Sequence, residues 1–306
     1  MTVRIGTRGS ALALTQARYV EGILQESRAG IDISIVVIKT KGDSIVDRSI
    51  PESEAKGLFV KEIEQALLAG EIDVAAHSMK DMPTALSPEL MLACVRPRGD
   101  ARDALISANS TSLKDLRPKA RTGTSSSRRR AQLLAVRPDL KVDDIRGNVD
   151  TRLKRLDNGD YDALVLASCG IDRLGLSHRI CERLPTETML PAACQGIIAI
   201  ESRAVDAKTN RLLEPIKSVA DMQCATAERS FLAELQGGCK VPIAAFATIR
   251  GSEMRVEGLV ATPDGKTVIR KSVSGESREA DELGRQLSVL ITREGGRELL
   301  NGYRSK

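Results

Sequence analysis

Basic and hydroxyl side chains cluster just after five predicted strands in the first half of the chain. The strands are VRIG at 3–6, IDISIVVIKT at 31–40, IDVAAHS at 72–78, and two shorter ones that end near Arg121 and at Ile145. Ligands of open α/β sheets bind beyond the carboxyl ends of the strands. The side chains that follow these ends are Thr7, Arg8, Ser10, Lys41, Lys80, Asp81, Thr124, Ser125, Ser126, Arg128, Arg129, Arg146, Asn148 and Arg152.

These residue types are suited to binding carboxylates or phosphates. A helix N-terminus offers N–H donors and a partial positive charge, and an arginine adds planar, two-pronged recognition of an oxyanion. A single serine at a helix start is usually only a cap, and a basic run is usually a solvated face. The repetition at equivalent positions therefore carries the prediction of an anion site. The sequence has no GxxxxGK[ST], GxGxxG or GxSxG motif, which argues against nucleotide-binding classes and serine hydrolases.

Asp81, in HSMKDMP, is an acid among these bases. It could simply pair with Lys80 or another cation. Alternatively, it could act as a general acid or base, or as the counter-ion of a cationic intermediate. Its position does not favour one of these roles over the other.

Cys239 lies in LQGGCKVP, where two glycines favour an open backbone and Lys240 favours the thiolate. Most free cysteines are buried apolar fillers, and Cys94, Cys169 and Cys181 fit that description. Six cysteines without a CxxC pair or a Cys/His cluster disfavour a zinc site. In a reducing compartment we expect all six as free thiols.

The predicted elements fall into three groups. Strands alternate with helices up to about residue 215, which predicts α/β layers with mostly parallel sheets, and PRGD at 97–100 resembles a linker. The aperiodic segment 42–57 is long enough to be a functional loop. After residue 218, three successive strands and a helix over 279–293 predict an antiparallel α+β module. We expect domains at 1–97 with 197–215, at 101–192 and at 219–306.

Composition restricts the class of protein. A chain of 306 residues with 28% charged residues and no apolar run of about 18 residues is expected to be globular, without a membrane span. The N-terminus lacks a secretory pattern, so we expect a cytoplasmic protein. A net charge of +5 suits an anionic ligand, while only 2% aromatic residues argues against nucleic acid.

Several segments together resemble the porphobilinogen deaminase family, from residue 3 to about residue 300. They are GGCKVP, AAHSMKDMP, GTSSSRRR, RGNVDTRL, IGTRGSALALTQA and KGLFVKE, and they occur in the family's order and spacing. The resemblance implies two α/β domains like those of periplasmic binding proteins and a third, cofactor-bearing domain. The implied reaction joins four porphobilinogen units on a dipyrromethane cofactor and releases ammonia and hydroxymethylbilane, a step of haem biosynthesis.

The resemblance also implies roles for individual residues. Asp81 matches the catalytic carboxylate, and Cys239 matches the thioether attachment of the cofactor. Lys56 and Phe59 match the edge of a mobile loop over the cleft. The positions implied to hold the cofactor are Ser78, Lys80, Thr124, Ser125, Ser126, Arg128, Arg129 and Gly147. Those implied to bind substrate are Arg8, Ser10, Gln16, Arg146, Arg152, Arg173 and Gln195.

Two other classes stay open at this point. A two-lobed binding or sensor module would explain the basic rim but leaves Asp81 and the GGC loop unexplained. A nucleic-acid binder is weakened by the scarcity of aromatic residues. We expect a monomer that acts on the small molecule porphobilinogen, with no metal, no nucleic acid and no membrane partner. An intact mass separates the classes, because only the deaminase carries a covalent pyrrolic adduct.

Overall fold

The computed structural model describes residues 2–28, 30–40, 60–236 and 241–304. The chain divides into two compact units, one comprising residues 1–99 and 196–222 and the other residues 100–195 and 223–306. The first boundary falls inside the linker predicted at 97–100. The division into three domains stays a prediction, because the predicted second and third domains belong here to one unit. Within the described residues, no helix is both long and apolar enough to cross a membrane.

A five-stranded sheet in the order β2-β1-β3-β10-β4 forms the first unit. Its strands are β1 (Thr2–Thr7), β2 (Asp32–Val37), β3 (Val74–Ser78), β4 (Leu90–Val95) and β10 (Ile198–Arg203). The helices are α1 (Ala11–Ser27), α2 (Lys61–Leu68) and α6 (Ala207–Leu213). Strands β1, β2 and β3 are parallel, whereas β10 runs antiparallel to both β3 and β4. Core residues such as Val3, Ile5, Val20 and Ile200 are fully buried.

The second unit contains a similar sheet in the order β7-β6-β8-β5-β9. Its strands are β5 (Asp103–Ser107), β6 (Arg121–Gly123), β7 (Lys141–Asp143), β8 (Ala163–Ala167) and β9 (Glu182–Arg183). The helices are α3 (Ser127–Val136), α4 (Val149–Asp157) and α5 (Ser168–Arg173). Strand β6 is parallel to β7 and β8, and β5 is antiparallel to β8 and β9. In each sheet four of the five strands therefore run in the same direction, and only β10 or β5 runs against them, so the prediction of mostly parallel sheets is confirmed.

The rest of the second unit is the C-terminal module, an antiparallel sheet β11-β12-β13 with helices packed on it. The strands are β11 (Ile243–Arg250), β12 (Glu253–Ala261) and β13 (Val268–Glu276), as the sequence predicted. The helices are α7 (Val219–Glu234), α8 (Ala280–Arg293) and α9 (Gly296–Arg304), and the residues of α7 up to Met222 belong to the first unit. Phe231, Leu287 and Ile291 pack against Met254 and Val256 in its core. Helix α7 was not predicted from the sequence, because its buried positions include the small residues Cys224, Ala225 and Ala227 rather than a stripe of large apolar side chains.

Candidate active site

In the first unit, Ser10 and Arg8 follow β1 at the sheet edge where the parallel strands β1, β2 and β3 end. The Ser10 hydroxyl accepts a hydrogen bond from the Ala13 N–H at 3.3 Å and so caps α1, as the sequence predicted. The Thr7 hydroxyl donates to the Ala13 carbonyl at 3.2 Å. The start of α1 is thereby tied to the end of β1, and half-buried Arg8 lies between the two.

Gln16 and Ser78 bond to each other. The Gln16 Nε2 donates to the Ser78 Oγ at 2.8 Å, and the Ser78 hydroxyl lies 3.2 Å from Gln16 Oε1. Gln16 is only 2% exposed, so its amide is committed to this contact. The pair joins α1 to the end of β3, directly before the segment that carries Lys80 and Asp81. Ligand contacts by Gln16 and Ser78 stay predictions, and their observed role is to support this segment.

Asp81 ends a 3₁₀ turn, Met79–Asp81, that follows β3. The turn is anchored by buried Met79, whose N–H donates to the Ile197 carbonyl at 3.0 Å, and by buried Met82, whose N–H donates to Met79. Asp81 itself is exposed. Across the part of the chain that the structure describes, its carboxylate has no ion pair with Lys80 or any other cation. Of the two roles that the sequence left open, simple pairing with Lys80 is therefore not the one observed.

In the second unit, three hydroxyls follow β6. The Ser126 Oγ accepts from the Arg129 N–H at 3.4 Å and caps α3, and the Thr124 Oγ1 accepts from the Ser126 N–H at 3.3 Å. The Ser125 hydroxyl donates to the Ile145 carbonyl at 2.7 Å and accepts from the Ile145 N–H at 3.0 Å. The hydroxyls thus hold the β6–α3 turn against the segment after β7. Contact of these hydroxyls with the cofactor stays a prediction.

The consecutive residues Arg128 and Arg129 share one buried carboxylate, that of Asp103 on β5. The Arg128 Nη1 lies 2.7 Å from Asp103 Oδ2, and the Arg129 Nε and Nη2 lie 3.0 and 2.8 Å from Oδ1. Asp103 is completely buried, and the arginines are 4% and 6% exposed. Burial alone raises the pKa of the Asp103 carboxyl, but the two guanidinium groups outweigh it and hold this pKa well below its usual range. Two cations and one anion leave a net positive charge.

The two arginines differ in their remaining donors. All three nitrogens of the Arg129 guanidinium are engaged, because its Nη1 also donates to the Val165 carbonyl at 3.0 Å. The Arg128 Nη1 donates to Asp103 and to the Leu190 carbonyl, both at 2.7 Å. Among the described residues, nothing accepts a hydrogen bond from Arg128 Nε or Nη2. One complete edge of the Arg128 guanidinium therefore has no acceptor among the described residues, and contact of either arginine with the cofactor stays a prediction.

Gln195, predicted to bind substrate, is completely buried. Its Nε2 donates to the Asp103 Oδ1 at 2.9 Å and to the Ala101 carbonyl at 2.7 Å. Gln195 thus belongs to the same network as the two arginines, and substrate contact stays a prediction. Asp103, the centre of this network, was not predicted from the sequence. Its signal was weak but present, since it is a lone acid at the start of the apolar run DALIS.

The segment after β7 carries Arg146, Gly147 and Arg152. Gly147 has φ +99°, and a side chain there would collide with Thr151 at 2.9 Å. This glycine lets the chain turn into α4, and the Arg152 Nε donates to its carbonyl at 2.8 Å. Arg146 is exposed beside it, and Arg173 ends α5, the helix that follows β8. The structure thus places the second-unit candidates after the three parallel strands β6, β7 and β8 and around the adjacent end of β5.

Four predicted residues lie outside the described residues, namely Lys41, Lys56, Phe59 and Cys239, and so does the predicted functional loop at 42–57. Among the cysteines that are described, Cys94, Cys169, Cys194 and Cys224 are buried. Burial raises the pKa of the Cys94 thiol to about 11, which keeps it protonated at neutral pH. No group of three or more His, Cys, Asp or Glu side chains that could hold a metal occurs within the described part of the chain.

Comparisons with known proteins agree with the resemblance of the motifs. A family model described as "Porphobilinogen deaminase, dipyromethane cofactor binding domain" matches residues 3–211, and one described as "Porphobilinogen deaminase, C-terminal domain" matches residues 222–292. This chain belongs to the porphobilinogen deaminase family. A porphobilinogen deaminase of Syntrophomonas wolfei is 46% identical over 298 residues, covering 97% of each chain. Another, of Roseiflexus sp., is 45% identical over 301 residues, covering 98% of this chain and 99% of that one.

Solved structures outside the porphobilinogen deaminase family also match, at low similarity. The BvgS VFT2 domain of Bordetella pertussis is 17% identical with a TM-score of 0.43, covering 75% of this chain and 91% of that one. The periplasmic aliphatic sulphonate binding protein SsuA of Escherichia coli is 16% identical with a TM-score of 0.38, covering 77% and 70%. These scores are low, so the mixed α/β class follows from the observed sheets and helices themselves.

Proposed function

We propose that this chain is a hydroxymethylbilane synthase, a transferase that joins four porphobilinogen units head to tail and releases ammonia and hydroxymethylbilane. Membership of the porphobilinogen deaminase family supports the reaction. The observation that carries the assignment of residues is the placement of Asp81. Its carboxylate is exposed after β3 and has no ion pair with any cation of the described residues, so its charge remains available to a cationic reactant.

The residues present suit a covalently held dipyrromethane. Such a group carries acetate and propionate carboxylates and pyrrole N–H donors, and when bound it supplies the free pyrrole carbon on which the chain of pyrroles grows. The Nε–Nη2 edge of Arg128 has the geometry that recognises a carboxylate through two parallel hydrogen bonds. Asp81 offers an acceptor suited to pyrrole N–H groups. Cys239 is the attachment residue in this proposal, which rests on its GGCKVP motif.

Asp81 has two tasks in the proposed reaction. Loss of ammonia from porphobilinogen leaves a delocalised positive charge on the substrate, and a fixed carboxylate lowers the energy of the transition state that leads to it. The same carboxylate can accept the proton that the pyrrole carbon loses after coupling. Met79 and Met82 hold Asp81 in place on either side, because both are buried and bonded to the backbone.

The arginines bind carboxylates, and Arg128 is the one that we assign to the cofactor. Each charge-assisted hydrogen bond to a carboxylate contributes about 1.5–3 kcal/mol. Asp103 orients the Arg128 edge, since it occupies the opposite side of the guanidinium. Arg146, Arg152 and Arg173 are the arginines that we assign to substrate, and Arg8 and Lys80 add positive charge on the first unit.

An intact mass tests the function. The purified protein is expected to be heavier than its sequence by the mass of two linked pyrrole units, with the adduct on Cys239. Cys239→Ser removes the adduct and lowers the melting temperature, because a ligand bound only by the native state stabilises it. A protein of bare sequence mass that still forms hydroxymethylbilane would overturn the assignment of Cys239. A protein without adduct or turnover that binds small anions would instead be the binding module.

We further propose that the protein works as a cytoplasmic monomer without nucleic acid. The aromatic content of 2% supports the last point, because bases would find few stacking partners. Light scattering of the purified protein measures the oligomeric state, and a dimer mass would contradict the proposal.

A further inference from the structure

The turn between β12 and β13 lies directly on helix α3. The turn is Thr262–Gly265, closed by a hydrogen bond of 2.9 Å from the Gly265 N–H to the Thr262 carbonyl. The Thr262 hydroxyl also donates to Asp264 at 2.6 Å, which holds the turn in one shape. Gly265 has φ +71°, the left-handed region in which glycine is favoured. The turn therefore places the Gly265 backbone against α3 with no side chain between them.

This approach is too close for any side chain. A Cβ on Gly265 would lie 2.4 Å from the Ala131 carbonyl oxygen and 2.5 Å from the Ala135 nitrogen. Residues four apart are hydrogen-bond partners in an α-helix, so the added carbon would enter the bond between Ala135 and Ala131. Both atoms belong to the backbone and cannot rotate away. A substitution at Gly265 must push the turn off the helix or distort the helix.

A second contact links the same module to Arg128. The Leu190 side chain is buried with Ala131 of α3 and with Ala244, Leu259 and Ala261 of the C-terminal sheet. The Leu190 carbonyl accepts the hydrogen bond of 2.7 Å from the Arg128 Nη1. A shift of the C-terminal sheet on α3 would therefore reach the guanidinium both through the helix and through Leu190.

We propose that Gly265 is a positioning residue for the Arg128 edge, which the proposed function assigns to carboxylates of the cofactor. The bare turn on α3 keeps the helix that carries Arg128 in fixed register with the C-terminal module, to which Cys239 belongs in sequence. This inference rests on the proposed function. It adds that cofactor assembly depends on the contact between the Gly265 turn and α3, although this turn itself binds no ligand in the proposal.

The test compares Gly265→Ala with Gly251→Ala. Gly251 also has a positive φ, +63°, in a turn of the same sheet, but a Cβ there would meet no atom within 4 Å. The two variants share the backbone strain and differ in the contact with α3. Each is purified without cofactor, and assembly of the adduct from porphobilinogen is followed by mass, together with KM and kcat of the loaded fraction. Gly265→Ala is expected to assemble the adduct about tenfold or more slowly than Gly251→Ala and to raise KM more than it lowers kcat.

A second pair serves if Gly265→Ala does not fold. Leu259→Ala opens a cavity in the cluster around Leu190, whereas Leu287→Ala opens one in the core under α8, and both leucines are buried. Both substitutions remove the same atoms from a buried leucine, so a loss of stability alone would slow adduct assembly in both variants. Slower adduct assembly in Leu259→Ala than in Leu287→Ala, compared at equal folded fraction, supports the proposal.

The outcomes separate the two hypotheses. A wild-type protein without adduct and without porphobilinogen turnover overturns the proposed function itself. A wild-type protein that carries the adduct, with equal assembly rates and KM values in Gly265→Ala and Gly251→Ala, overturns only the positioning role. A lower melting temperature in Gly265→Ala without a change in the rate of adduct assembly or in KM also overturns the positioning role. The contact between the turn and α3 would then only stabilise the fold.

Discussion

Arg128 Nη1 lies 2.7 Å from the Oδ2 atom of completely buried Asp103. The same carboxylate binds Arg129 through its other oxygen, and the Gln195 amide donates to it as well. A buried carboxylate with these partners is costly to change, since each partner would lose its acceptor in a place where water cannot replace it. The orientation of the ligand-facing edge of Arg128 therefore depends on a residue that has no access to ligand.

We expect Asp103→Asn to lower the free energy of unfolding by about 3–5 kcal/mol, the range for a broken buried ion pair. It should also reduce the fraction of protein that carries the adduct. Asp73→Asn is the matched control, because Asp73 also binds two arginines, Arg4 at 2.9 Å and Arg203 at 3.3 Å, but in the first unit and more exposed. Denaturant titration and intact mass measure both effects. Equal adduct fractions in the two folded variants would contradict the link between Asp103 and the cofactor.

The pH dependence of stability follows from the same carboxylate. The folded-state pKa of Asp103 is lowered from its ordinary value of 3.8, so its contribution to stability is fully present above about pH 4. Below that pH the unfolded chain binds a proton that the folded chain does not, and stability falls until the pH passes through the folded pKa. Acid titration of the unfolding free energy should show this fall, with a shallower slope in Asp103→Asn. The same slope in both proteins would show that other carboxylates account for it.

Asp81→Asn distinguishes an enzyme from an anion-binding module. The variant keeps the shape and removes the charge, so a pure binding site would bind its anion as well or better. An enzyme should keep its fold and lose turnover by about a hundredfold or more. The measurement is single-turnover ammonia release on protein already loaded with cofactor, which separates catalysis from cofactor assembly. Glu89→Gln, at an exposed acid of the same unit, is the control and should release ammonia at the wild-type rate.

The arginines on the segment after β7 should act on substrate binding. Arg146→Leu or Arg152→Leu is expected to cut kcat/KM roughly ten- to a hundredfold, as the loss of one charge-assisted bond predicts. Lys154→Leu removes a positive charge from the exposed face of the same helix, α4, and should change kcat/KM little. Steady-state kinetics on cofactor-loaded protein measure kcat/KM of the three variants and of the wild type. A similar effect in all three variants would reduce the role of these arginines to general electrostatics.

Local sequence predicted the individual elements well. Ser10 and Ser126 cap their helices as expected, and the alternation of strands and helices predicted both α/β sheets. Such features depend on neighbours within a few residues, so short patterns are enough. The direction of β5 and β10 could not be predicted in this way, because strand direction depends on which distant segment each strand pairs with.

The sequence by itself determined the family, the order of the domain segments and the residue types of the site, because its motifs are local and specific. Only the tertiary structure decided which hydrogen-bond acceptors each of the two adjacent arginines contacts. Arg128 and Arg129 are consecutive in RRR, yet their contacts differ. Arg128 directs one edge of its guanidinium away from Asp103, whereas Arg129 donates its hydrogen bonds to Asp103 and to the Val165 carbonyl. The partner that causes this difference lies 25 residues away along the chain from Arg128. Its burial and its distance to each guanidinium exist only once the sheet has formed.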